Sequence, residues 1–221
     1  MLRLDHIDVH IEGVHVLRGI ELDLPAGSTA ALIGRNGAGK TTTLRAIMGL
    51  LPLASGEVHL GSTRLDTIPP HLRPGLGIGY APEDRRLFAS FNIEDNIRLP
   101  GDVARLDPKE MERRLEAIYE ILPELAELRQ RPAGSVSGGQ GKMAALGRAL
   151  MIGTKLVLLD EPFQGLAPAL AARYAQALKA LRSHYANITL IITESNPALI
   201  EDIADLTYTI ERGAATAGPS A

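Results

Sequence analysis

Between residues 2 and 24 apolar and polar side chains alternate, in RLDHIDVHI and again in HVLRGIELDL, with Gly13 between the two runs. A period of two sends alternate side chains to opposite faces, so the pattern predicts two antiparallel strands. GEVHLG, at 56–61, adds one more short strand to the same sheet. The texture changes at STAALI, residues 28–33, a short apolar run that predicts a buried strand. The TTTLRAIMGLL that follows it sets Leu44, Ile47, Met48 and Leu51 at helical spacing. GIGYA, at 77–81, predicts another buried strand. From 91 to 130 the period is helical, with Met111, Leu115, Ile118, Tyr119 and Leu122 in phase and breaks at Pro100, Pro108 and Pro123.

SGGQGKMAALGRALMIG then predicts a helix with Met143, Leu146, Leu150 and Met151 in phase, ending at Gly153. KLVLLDE is a continuous apolar run closed by two acids, which suits a central parallel strand buried on both faces. A helix over 168–183, a strand at 188–193 (ITLIIT), a helix over 197–204 and a strand at 206–210 (LTYTI) complete a βαβ rhythm. The chain thus predicts an α/β fold. A core of residues 1–85 and 135–212 carries a mixed, largely parallel sheet and the N-terminal antiparallel strands, and 86–134 forms a helical subdomain. The small, polar GAATAGPSA at 213–221 is expected to be a disordered tail.

Composition narrows the classes. The 221 residues are 45% hydrophobic and carry a formal net charge of −3, so there is no basic surplus for holding nucleic acid. No stretch of about 18 apolar residues occurs that would span a bilayer, and the start lacks the layout of a signal peptide; both point to the cytoplasm. With no cysteine, disulfides and thiol chemistry are excluded. The six histidines, at 6, 10, 15, 59, 71 and 184, show no metal-binding spacing and read as solvated or edge-strand residues.

The chemistry lies in GRNGAGKTT, residues 34–42, between the apolar strand and its helix. Gly34, Gly39, Lys40 and Thr41 fill the pattern G-x-x-x-x-G-K-[ST] of a P-loop. Its amides, from Gly34 through Asn36, Gly37, Ala38 and Gly39 to Lys40, Thr41 and Thr42, would cradle a phosphate chain at the positive end of the helix. Lys40 would reach the outer phosphates and the Thr41 hydroxyl would bind Mg²⁺. Asp160 and Glu161 end a strand at the edge where open α/β sheets bind ligands. Asp160 suits a second Mg²⁺ ligand, and Glu161 a general base acting on water.

VSGGQ stands at 136–140, 23 residues before Asp160 counted from Ser137. With the phosphate loop and the strand-end acids it resembles the nucleotide-binding subunit of an ABC transporter, whose signature is usually LSGGQ. The resemblance covers residues 2 to about 212. GYAPEDRRLF, NIEDNI, GRALM and DEPFQGLAP are similar to the subunits that drive branched-chain amino acid importers and their urea relatives. The resemblance implies an ATPase using ATP and Mg²⁺. Ser137, Gly138, Gly139 and Gln140 would complete the site of a second cassette, identical or not, in a head-to-tail dimer. The helical subdomain and the bend at Glu83 would dock permease subunits on the inner face of the membrane.

Four positions depart from the family pattern. Ile11 stands where an aromatic usually stacks on adenine. Glu83 replaces the glutamine near Mg²⁺, and a solvated loop acid is the alternative reading. Ala167 replaces an aspartate. Ser195, in IITESN, replaces the switch histidine at the γ-phosphate, and a helix cap is its alternative. These departures leave open a weakly hydrolysing regulatory subunit beside the transport ATPase, and a soluble cassette acting on DNA is a third possibility. Arg85, Arg86 and Arg148 read as ion-paired residues, with a phosphate role the alternative.

Overall fold

The structure, a computed structural model, describes residues 1–218. Strands β1 (Leu2–Ile11), β2 (Val14–Leu24), β4 (Ser55–Leu60) and β5 (Thr63–Arg64) form an antiparallel sheet in the order β2-β1-β4-β5. The larger sheet runs β10-β9-β3-β8-β7-β6. It comprises β3 (Thr29–Ile33), β6 (Ile78–Ala81), β7 (Leu156–Asp160), β8 (Thr189–Glu194), β9 (Leu206–Glu211) and β10 (Ala214–Ala217). All its pairings are parallel except that of β10 with β9.

The continuous apolar run of β7 makes sense in this setting. Leu156 and Leu158 enter the core shared with α1 (Lys40–Ile47) and the antiparallel sheet. Val157 and Leu159 enter the second core, beneath the helices. That second core is closed by α2 (Ile93–Val103), α3 (Pro108–Ile121), α4 (Pro123–Leu128), α5 (Gly138–Ile152) and α6 (Pro168–His184). A strand buried on both faces cannot afford polar side chains until its end, and β7 first places one at Asp160.

Pro108 and Pro123 each begin a helix, where a missing N–H costs nothing. Pro100 does not break its helix but lies inside α2. It forgoes one bond to the Asn96 carbonyl, while Ile93, Asn96, Ile97 and Gly101 stay buried on the packed face.

The helix expected over 197–204 is instead a 3-10 turn of three residues, Pro197–Leu199. Asn196 caps it, accepting from the Ala198 N–H, and tight turn bonds then carry Ile200 and Ile203 into the core. The disordered tail is also corrected at Ala214–Ala217, which form β10. Arg212 (φ 50°) and Gly213 (φ 82°) make the two-residue hairpin turn that joins it to β9. A Cβ at Gly213 would meet the Val16 carbonyl oxygen at 2.1 Å. That turn also ties the phosphate loop down: Gly213 N–H donates to the Ala38 carbonyl, and its carbonyl accepts from Arg18. The last part of the expected tail, 219–221, lies outside the described residues.

Candidate functional site

The phosphate loop is built where β3 ends, and two of its glycines have no substitute. A Cβ at Gly34 would lie 2.4 Å from the Ile210 carbonyl oxygen, and one at Gly39 would lie 2.8 Å from Leu17 Cδ2. Gly39 is also left-handed, with φ 120°, as it turns the chain into α1. Lys40 is the first residue of that helix and is only 5% exposed, folded back over its own loop. Its Nζ donates to the carbonyls of Gly34 (2.7 Å) and Arg35 (3.3 Å) and to Ser195 Oγ (3.1 Å). It also lies 2.9 Å from Glu161 Oε1.

Parallel pairing of β7 with β8 and β6 brings a second group together. Asp160 Oδ1 accepts from Thr41 Oγ1 at 2.9 Å and from Thr193 Oγ1 at 2.9 Å, and Oδ2 accepts from Tyr80 at 3.2 Å. Burial, then the Asp160 charge, raises the Tyr80 phenol above its ordinary pKa. Burial opposes ionisation of Glu161, but the hydrogen bonds from Lys40 and Ser195 and the Lys40 charge outweigh it. They hold that carboxyl below the usual carboxylate range. Burial pushes the neighbouring Glu194 up to about 7, opposed by the Phe163 N–H on its Oε1 and reinforced by Glu161.

A cavity of about 450 Å³ opens over the phosphate loop and Glu161. Asn36, Gly37, Gly39, Lys40, Thr41 and Thr42 line it together with Glu83, Glu161, Val16 and Gln164. A second cavity of about 600 Å³ continues along the other side of the loop, past Ala38 to Ile210 and Arg212. Oxygen donors from Thr41 and Asp160, with Glu83 on the wall, are the hard ligands Mg²⁺ prefers.

Other expected residues lie elsewhere. Ile11 lines neither cavity. It pairs with Val14 beyond the loop, and a bulge between Val9 and His10 in the β1/β2 register leaves Val16 as the extra residue, which does face the site. Ser137 to Gln140 are also outside the cavity, at the start of α5. Ser137 Oγ accepts from Gln140 N–H and Gln140 Oε1 accepts from Ser137 N–H, a complete capping box. Gly139 packs so tightly that a Cβ would meet Leu170 at 1.9 Å. Ser195 is no helix cap, since Asn196 fills that place. Ala167 begins α6 without a side-chain cap.

The three arginines divide: Arg86 pairs with Asp84, Arg85 donates to the Gly138 carbonyl, and Arg148 grips the carbonyls of Arg85 and Arg86. Tyr80, Lys142, Thr193 and Glu194 were not singled out by motif. The signal for the last two was a polar pair closing an apolar strand beside β7.

Residues 17–164 match the ABC transporter family. The chain is 32% identical to the probable branched-chain amino acid transport ATP-binding protein LivF of Archaeoglobus fulgidus, over 96% of this chain and 89% of that one. It is also 32% identical to the high-affinity branched-chain amino acid transport ATP-binding protein BraG of Pseudomonas aeruginosa, over 96% and 90%. Among solved structures, the ADP conformation of MJ1267, an ATP-binding cassette of an ABC transporter, superposes with a TM-score of 0.87 at 26% identity, covering 100% of this chain and 91% of that one. A lysine-bearing phosphate loop facing strand-end acids, in a chain similar to such cassettes along nearly its whole length, has one interpretation: the chain belongs to the ABC transporter family, as an ATP-binding subunit with ATPase activity.

Proposed function

We propose that this ATPase drives import of branched-chain amino acids, working as half of a head-to-tail pair of cassettes beneath a permease. The observation that carries the catalytic part is the convergence of Lys40, Thr41 and Glu161 on one cavity, with Asp160 hydrogen-bonded to Thr41 and Ser195 to Lys40 and Glu161. Lys40 is held by Glu161. Phosphate oxygens entering the loop take over the lysine, and the released carboxylate then accepts a proton from the attacking water. Thr41, Asp160 and Glu83 would hold Mg²⁺, which would supply positive charge to neutralise the phosphates. Ser195 contributes one hydroxyl beside the base.

The substrate class rests on the LivF and BraG relatives. A second reading is favoured by a weaker likeness, 28% identity over 91% of this chain, to the lipopolysaccharide export system ATP-binding protein LptB of Escherichia coli. The partner surfaces are of two kinds. The capped, cavity-remote signature at Ser137–Gln140 suits the nucleotide of a second chain. Phe88 and Phe91, stacked with centroids 5.4 Å apart and 51% and 39% exposed, suit a permease segment. No helix among the described residues is long and apolar enough to cross a membrane; the peripheral place on the cytoplasmic face follows from the proposed permease partner. The test is uptake of labelled leucine, isoleucine and valine into vesicles holding the chain with its native permease. ATP-dependent uptake, lost with Glu161→Gln, is the expected result; uptake of none of the three would overturn the substrate assignment.

A further inference from the structure

Glu161 has a φ of 46°, a left-handed conformation that a residue other than glycine holds only when its surroundings outweigh the strain. Its own peptide groups show what does so. The N–H donates to the Thr193 carbonyl at 3.2 Å and to Thr193 Oγ1 at 3.0 Å, both on the neighbouring strand. The carbonyl accepts from the Gln164 N–H at 3.2 Å and from Lys142 Nζ at 2.5 Å. Gln164 belongs to the same turn and moves with it. Among the described residues, Lys142 is therefore the partner that fixes this carbonyl to a separate element, helix α5.

The lysine is unusually placed for that task. It is half-buried, and burial lowers its pKa against the opposing charges of Glu194, Glu83 and Glu161. Yet among the described residues it forms no ion pair within 4 Å; its one side-chain hydrogen bond goes to the Glu161 carbonyl. A costly half-buried ammonium is thus committed to the backbone of the strained acid rather than to a carboxylate. We propose that Lys142 is a positioning residue for Glu161: it holds the turn after β7 so that the carboxyl points into the phosphate cavity. The inference rests on the reading of Glu161 as the general base.

The test uses the full-length chain with Mg-ATP and four variants: Lys142→Met, Lys142→Arg, Glu161→Gln and the double variant Lys142→Met/Glu161→Gln. Methionine keeps the stem and removes the donor, so kcat should fall by about tenfold or more while KM and ATP affinity stay within about twofold. Arginine restores a donor and should recover most of the rate. In single-turnover experiments the double variant should be no slower than Glu161→Gln alone, because a residue that acts through the base has nothing left to aim. Thermal melting accompanies each variant, and Lys142→Gln, with the same expectation, replaces methionine if that protein does not fold. A methionine variant with full kcat, an equal loss added on top of Glu161→Gln, or a parallel loss of ATP affinity would overturn the role of Lys142. Those results with an inactive Glu161→Gln leave the base assignment standing. Hydrolysis by Glu161→Gln at the wild-type rate would remove both.

Discussion

Ser195 has one proton and two acceptors in reach, Glu161 Oε1 at 2.7 Å and Asn36 Oδ1 at 2.8 Å, while its own oxygen accepts from Lys40. A hydroxyl can satisfy only one of the two at a time. Its hold on the base is therefore partial and exchangeable, and Lys40 is the dominant partner. Ser195→Ala should lower the ATPase rate by less than about tenfold, roughly 1.4 kcal/mol in the barrier. Steady-state rates check this, and a loss as large as that of Glu161→Gln would make the serine an essential switch. Lys40→Ala should instead remove most affinity for Mg-ATP, since it deletes the lysine cation that lines the phosphate cavity; calorimetry reads the difference. Glu194 supplies a pH dependence. Its folded pKa, up to about 7, lies above the ordinary carboxyl value of 4.5, so the folded state favours the protonated form. Stability tied to that proton is present at low pH and is lost as pH rises from about 4.5 through 7. Glu194→Gln, always neutral, should raise the melting temperature more at pH 8 than at pH 5, and an equal shift at both would contradict this.

At the scale of elements, the hairpin turn Arg212–Gly213 does more than end the sheet. Both residues are left-handed, and Gly213 is wedged between Val16 and the phosphate loop. Gly213→Val should destabilise the fold by about 2 kcal/mol or more, through strain and displaced backbone, and should also weaken nucleotide binding. Denaturant melts and ATP titration of one preparation test both effects. This turn was hidden in the sequence, because GAATAGPSA has the composition of a loop and its pairing partner is set by β9 and β2. The alternating strands, the buried β7 and the phosphate loop were legible, since local periodicity and glycine chemistry determine them. The 197–204 segment was not: Ile200 and Ile203 have helical spacing, but the cap and proline at Asn196–Pro197 close a single tight turn. The place of Val16 rather than Ile11 depends on a β-bulge, and the Lys142 contact on a distant helix. Neither leaves a mark in local pattern.

For the whole molecule, the phosphate cavity and the turn proposed to face a second chain do not meet within one chain. Lys40 and Glu161 share a cavity, while the capped Ser137–Gln140 turn stands outside it. Ser137→Ala should leave ATP binding to the single chain nearly unchanged and weaken ATP-driven pairing, measured by sedimentation with the Glu161→Gln chain. The pairing measurement and the proposed mechanism depend on the chain hydrolysing ATP through Glu161, so the most direct measurement sets ATP binding and ATP turnover of the wild-type and Glu161→Gln proteins side by side. The amide keeps the shape and loses the base. Binding within about twofold and a rate lowered by about a hundredfold or more is the predicted result; turnover by Glu161→Gln close to the wild-type rate would contradict it.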